Sequence, residues 1–415
     1  MRRVVITGAG LISSLGDRPA LLQAALCEGR SGLRAIEAFD SNGLRCRICG
    51  AVSSFSATKY LGEKNLRPLD RTSQMVASAA KLALDDSRWS EDLRREREVG
   101  LALGTMFCSV HTISEFDRRA LRAGPAYASP LDFSNTVINA AAGQTAIRHS
   151  LRGPNSTIAA GSASGLQAII YASEMIRTRR AEAILAGGAD EMCFESFLGF
   201  HQAGLLCGSD HSPEKVDSSG DHPIPFDRRR NGFALGEGAA LLMLEEKEAA
   251  LARGARVLAE IAGHASLFDT SRGKEETRAV ETIAHAMRLA LRDAQLTTEE
   301  IDCMSLSANG SPQRDRQEAR AAGRLLGGRA KGLPVTAIKS MLGETLGASG
   351  AFQAVAMIES LRGGVLPGIA QLEEPDPDFP LEAATSRNRK GEFSNGLIST
   401  IGIDGNCCAA VIARA

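Results

Sequence analysis

The chain has 415 residues, of which 44% are apolar, and its formal net charge is −1. That length exceeds what one minimal core requires and suggests two domains or one duplicated unit. The balanced charge and an aromatic content of 4% exclude the basic, base-stacking surface of a general nucleic-acid binder.

The first element is the apolar strand "RRVVITG". The following "TGAGLISSLG" approaches a dinucleotide fingerprint but places Ser13 where the third glycine belongs. No ribose-binding acid follows at the right spacing, so no nicotinamide cofactor is expected. The apolar part of this segment is too short and too glycine-broken for a signal peptide. No apolar run reaches the length of a membrane span, so no membrane partner is expected. Nine cysteines in a chain this long do not form a disulfide framework. Cys46 and Cys49 make a lone C-x-x-C without a second pair, so no metal is assigned to them, and Cys407 and Cys408 read as buried thiols. A reducing cytoplasm is the expected setting.

Further along, "LDRTSQMVASAAKLALDDS" carries helical periodicity, and "VGLALGT", "AEAILAGGAD" and "AALLMLEE" read as strands. The segment "GSDHSPEKVDSSGDHPIP" is the most loop-like. After Arg253 the rhythm restarts with the strand "ARVLAEIAGHA", the helix "EETRAVETIAHAMRLALRDA" and the strand "DCMSLSANG". Buried strands between amphipathic helices predict a layered α/β protein. Two passages repeat one another. "TIAA" leads through Ser162 to "ASGLQAIIYASEMI", and "VTAI" leads through Lys339 to "ASGAFQAVAMIESL". Two such strand–turn–helix units half a chain apart predict a duplication, with the halves joined near residues 250–255.

Several ordered stretches together resemble the β-ketoacyl-carrier-protein synthases of the condensing-enzyme (thiolase-like) superfamily. They are "RRVVITGAGLISSLG", "NTVINAAAGQTAI", "LRGPNSTIAAGSASG", "AILAGGADEM", "PFDRRRNGFALGEGAALLMLEE", "KSMLGETLGASGAFQA" and "STIGIDGN". The resemblance implies a thiolase-like α/β fold: two duplicated βαβ-type halves, 1–252 and 253–415, in a five-layer α-β-α-β-α arrangement. It also implies dimer-interface insertions in the first half. Such an enzyme stores an acyl chain on a cysteine thiol. Two histidines then stabilise the enolate formed by decarboxylation of a malonyl thioester.

Mapped on the motifs, the nucleophile position here is Ser162, the first histidine position is Asn309 and the second is Glu344, while Lys339 is kept. The closing motif loses its aromatic gate at Ile403 and gains Asp404. An alcohol ionises far less readily than a thiol, and a helix terminus contributes only about 0.3–1 kcal/mol. A carboxylate aimed at a forming enolate repels it. No independent condensation is therefore expected, and none of these positions is assigned a catalytic role.

Within the family, this pattern is most like a chain length factor, or ketosynthase β subunit, of a type II polyketide system, although many of those carry glutamine where Ser162 stands. The expected partners are a cysteine-bearing ketosynthase α subunit and an acyl carrier protein. The alternative is a Ser162-dependent malonyl-carrier-protein decarboxylase or acyltransferase on the same fold, with Glu344 as base in one version.

Plainer roles stand beside these. Ser162 also suits a helix N-cap, Asn309 a turn, and Glu344 an ion pair with Lys339, for which Asp404 is a competitor. Phe107, Ile113 and Phe116 are candidates to line or cap a chain tunnel, with ordinary packing as their other reading. Residues 129–152 and "GPNSTIAAG" are interface candidates. Arg177, Arg179 and Arg180, and Arg228, Arg229 and Arg230, suit either an acidic carrier protein or internal salt bridges. His111 and His149 lie outside the motifs and are read as non-catalytic.

Overall fold

The computed structural model describes residues 2–208, 222–381 and 384–415. Most of the loop-like segment, residues 209–221, lies outside the described residues. Ten strands form one mixed sheet. The first half supplies β1 (Val4–Ile12), β2 (Val99–Gly104), β3 (Asn155–Ile158), β4 (Ala183–Asp190) and β5 (Gly238–Glu246). The second supplies β6 (Ala259–Phe268), β7 (Cys303–Ser305), β8 (Val335–Thr336), β9 (Asn395–Ile401) and β10 (Asn406–Arg414). The spatial order is β8-β7-β9-β10-β6-β1-β5-β4-β2-β3.

Each half therefore runs third, second, fourth, fifth, first. In each, the fifth strand is antiparallel to its neighbours and the second is parallel to both of its own. One strand order, obtained twice, is what the repeated strand–turn–helix passages lead one to expect of a duplicated chain. The halves meet where β1 pairs antiparallel with β6, Val4 opposite Ile261.

The helices that matter here are α1 (Arg71–Asp86), α2 (Val110–Ala123), α3 (Ala140–His149), α4 (Ser164–Arg177), α5 (Phe194–Gln202), α6 (Glu276–Ala294), α7 (Pro312–Leu326) and α8 (Ser349–Gly363). Asp70 starts α1 by accepting a hydrogen bond from Ser73 N–H at 2.9 Å. Strand β5 shows why the protein is layered. Its successive side chains point to opposite faces. Leu242 and Leu244 pack with Leu166 and Ile169 of α4 and Phe352 and Val355 of α8. Leu241 and Met243 pack with Met75, Val76 and Ala79 of α1. On the far side, Ile283 and Met287 of α6 and Ala319 and Ala322 of α7 cover Leu397 and Val411. Helices α4 and α8 thus form the central layer between the two halves of the sheet.

Glycine is required at the centre. A Cβ on Gly188 would fall 2.1 Å from the Gly347 carbonyl oxygen, and one on Gly165 would fall 2.5 Å from the same atom. Backbones of the two halves touch here, and any side chain would part them. Beside this contact the buried Asp190 carboxylate accepts hydrogen bonds from Thr105 Oγ1, from the N–H groups of Met106, Phe107 and Cys108, and across the seam from Gly347 N–H at 2.7 Å.

Candidate active site

The strand–turn–helix unit of the first half brings Ser162 to the turn between β3 and α4. Gly161 has φ +55°, a left-handed conformation that glycine accommodates freely. The turn is tied by Ser164, whose hydroxyl donates to the carbonyls of Thr105 and Gly161 and accepts from Ala160 N–H. Ser162 is not a helix cap, contrary to one reading of the sequence. The cap position is Ala163, without a side-chain capping bond. Ser164 does the local bonding instead, and Ser162 lines a cavity of about 280 Å³.

Asn309, after β7, and Glu344, after the short helix Lys339–Leu342, line that same cavity. Phe200, Phe233, Leu346, Ile401, Ile403 and Arg314 complete much of its wall. Glu344 is only 3% exposed, and both its oxygens are held. Oε2 accepts from Lys339 Nζ and from Asn309 Nδ2, each at 2.8 Å. Oε1 accepts from Ser349 Oγ at 2.7 Å and from Leu346 N–H at 3.2 Å. Lys339, 2% exposed, also donates to Ser307 Oγ at 3.0 Å. Asn309 serves twice, because its Oδ1 accepts from Ser311 N–H and shapes the turn. Asn309 thus both shapes its turn and lines the cavity.

Behind Lys339 lies a second carboxyl. Glu318 accepts from Ser307 N–H and Ser399 Oγ through Oε1, while its buried Oε2 has no partner among the described residues. Burial pushes Glu318 up from 4.5 to about 7. Folded protein therefore keeps a proton that the unfolded chain releases between those values, and stability falls as pH rises through the window. Glu318→Gln is expected to flatten that fall, which is on the order of 1–3 kcal/mol. Urea denaturation of both proteins at pH 5 and pH 7 measures it, and equal pH slopes would refute it.

Asp404 does not compete for Lys339. It accepts from Asn406 Nδ2 at 2.6 Å and lies under the Ser162 turn, its Oδ1 2.8 Å from where a Gly161 Cβ would sit. Phe107 stands behind the wall, its ring 5.9 Å from that of Phe200. Ile113 and Phe116 lie on α2 outside the cavity lining, with Phe116 against Phe133. Arg177 is bidentate on Asp293, and Arg228, Arg229 and Arg230 pair with Glu374, Asp227 and Asp376, so these arginines serve internal salt bridges. Arg179 and Arg180 are exposed. His149 is buried against the Ala77 carbonyl and pushed down to about 4 by burial. Cys49 is pushed up to about 11, and Cys407 and Cys408 to about 12, also by burial. Sequence reasoning did not bring out Arg314, which donates from the cavity wall to the Ile403 and Arg272 carbonyls. No local motif announces a side chain that bridges separate loops.

The model of the "Beta-ketoacyl synthase, N-terminal domain" matches residues 1–250, and that of the C-terminal domain matches residues 258–373. This chain belongs to the β-ketoacyl synthase family. A relative in the family is the 3-oxoacyl-[acyl-carrier-protein] synthase 2 of Vibrio harveyi, 32% identical over 406 residues that cover 97% of this chain and 96% of the relative. Among solved structures, the ishigamide ketosynthase/chain length factor superposes with a TM-score of 0.90 at 30% identity, covering 100% of this chain and 99% of that one. A type II polyketide acyl carrier protein in complex with its hexaketide-bound ketosynthase, AntDE:AntF, contains a chain that superposes at 0.87 with 26% identity and full coverage of both. The thiolase-like ketosynthase fold and the relation to polyketide ketosynthases follow. No helix among the described residues is long and apolar enough to cross a membrane.

Proposed function

We propose that this chain is a catalytically degenerate ketosynthase-like subunit of the chain length factor class. It pairs with a cysteine-bearing ketosynthase and shapes the path of a carrier-bound chain in type II polyketide assembly. The observation that carries this reading is the lattice Lys339–Glu344–Asn309. At the positions where the family places its two histidines, this chain holds a carboxylate and an amide bonded to each other, with the lysine closing the group. An enolate developing there would face the Glu344 charge, and one of the two Asn309 Nδ2 hydrogens is already given to that carboxylate. The carrier protein as a partner is supported by the AntDE:AntF complex and by the carrier-linked chemistry in the Vibrio harveyi relative's name.

The partner surface is supported by exposed apolar groups. Leu121 is 85% exposed, Tyr127 72%, Phe133 61% and Ile147 78%, all in the stretch of chain between β2 and the half-exposed edge strand β3. Such patches and unpaired edges are covered in stable assemblies. Mixing the chain with a cysteine-bearing ketosynthase and malonyl-carrier protein is expected to give elongation that the isolated chain lacks. Elongation by the isolated chain would sink the proposal. The double variant L121D/F133D is expected to weaken association at least about tenfold in analytical ultracentrifugation, because each change buries a charge in an apolar contact. Unchanged association would move the interface elsewhere.

A Ser162-dependent acyl transfer would need a base. Glu344 is a poor one here, since four donors already hold its oxygens. Mass spectrometry after incubation with malonyl- and acyl-carrier protein tests this, and an adduct on Ser162 would revive that function.

A further inference from the structure

A second cavity, of about 520 Å³, opens beside α2 and away from Ser162. His111 and Glu115 stand one turn apart on α2 and share a face. Glu195 comes from the first turn of α5. One ligand atom from each of these three lies within 4.8 Å of the others. His111 Nδ1 is 3.1 Å from Glu195 Oε2. Ser114 also hydrogen-bonds Glu195. The two carboxylates are bridged by a single cation. Arg118 Nη1 is 2.5 Å from Glu115 Oε1, and its Nη2 is 3.8 Å from Glu195 Oε1.

Deeper in the cavity wall is Glu191, only 3% exposed, whose Oε1 accepts a long 3.4 Å hydrogen bond from His111 N–H. Arg71 also lines the cavity but is bidentate on Glu237, so this weakly bonded buried carboxyl sits in a lining that holds five glutamates against three arginines. The mechanics point the same way. No residue of α2 is fully buried, whereas α5 is anchored by Phe197, at 0% exposure, and by Phe200.

We propose that His111, Glu115 and Glu195 bind a divalent transition-metal ion of the zinc class, which staples α2 onto α5. Imidazole with carboxylates suits zinc and disfavours magnesium or calcium, and water completes the coordination. Arg118 occupies the charge site in the absence of metal and swings out when metal enters. The site sets the position of a helix that borders the exposed apolar surface, and it does not depend on the functional reading above.

The test is calorimetric titration of zinc chloride into tag-free, chelator-stripped protein, with thermal melting alongside. One site per chain is expected, with a raised melting temperature and no comparable response to magnesium. H111A and E195Q are each expected to weaken binding about tenfold or more. R118A is expected to tighten it, because a competing cation has gone, and ordinary surface binding would not show that sign. Absence of binding would overturn the proposal. So would equal binding by H111A and E195Q, which would mean an adventitious ion only, for instance at the half-buried Cys27. An unchanged affinity in R118A would overturn it as well. Matching circular dichroism of the metal-free variants excludes misfolding as the cause.

Discussion

A Ser162→Cys variant of the isolated chain is expected to gain no measurable carbon–carbon bond formation. The substitution supplies a thiol at the head of α4, where the helix terminus favours its ionised form. Acylation of that thiol is therefore expected and is visible by mass spectrometry. Decarboxylative condensation is a separate demand. Removing one donor from an oxyanion site costs about 2.7–4 kcal/mol, roughly a hundredfold to a thousandfold in rate. Here one such position holds Asn309, which donates to Glu344, and the other holds Glu344 itself, with the wrong charge. The two effects together place condensation at least about ten-thousandfold below an intact site if they act independently. Carbon dioxide release and product formation from acyl- and malonyl-carrier protein measure it. Turnover in the single variant would show that the amide and carboxylate do not block the chemistry. The triple variant S162C/N309H/E344H tests the converse, and recovered activity there would locate the defect in these three side chains.

Glu344→Ala is expected to destabilise the fold by about 3–5 kcal/mol, because it leaves the Lys339 ammonium buried with Ser307 Oγ as its hydrogen-bond partner and only the attraction of Glu318 behind it. It also strands Asn309 Nδ2 and Ser349 Oγ, each now without the carboxylate it donates to. Glu344→Gln keeps an acceptor and should cost less. The paired replacement Lys339→Met with Glu344→Met removes both charges and should recover much of the loss, since apolar pairs of similar volume often match a buried ion pair. Urea denaturation midpoints of the four proteins measure this. A Glu344→Ala midpoint equal to that of the parent would mean the pair contributes nothing net.

Much of the architecture can be read from the chain because both faces of its strands are buried. Runs such as "AALLMLEE" stand out without alternation, and the repeated passages around Ser162 and Lys339 announce the second half. The order of the strands is another matter, because non-local pairing such as β1 with β6 leaves no local mark. The same division holds at the site. The resemblance to the family's motifs singles out Ser162, Asn309, Lys339 and Glu344, and it suggests the pairing of Lys339 with Glu344, which are also near in sequence and opposite in charge. The place of Asp404 is not legible in the sequence, because its neighbour is Gly161, more than half the chain away and without a side chain to advertise the contact. The cap role open to Ser162 in the sequence is not taken up, because the next serine, Ser164, makes the hydrogen bonds that tie the turn. The His111, Glu115 and Glu195 cluster draws on two helices whose meeting no spacing rule predicts.

The glycine contact at Gly165, Gly188 and Gly347 separates two kinds of constraint on a lineage of such proteins. Side chains around the cavity answer to a reaction, and if a partner performs that reaction, as proposed, they are free to change. The backbone crossing answers only to geometry, and it stays as demanding in a silent descendant as in a working ancestor. A family built this way can shed its chemistry one residue at a time while its shape, and with it the ability to assemble, passes on intact.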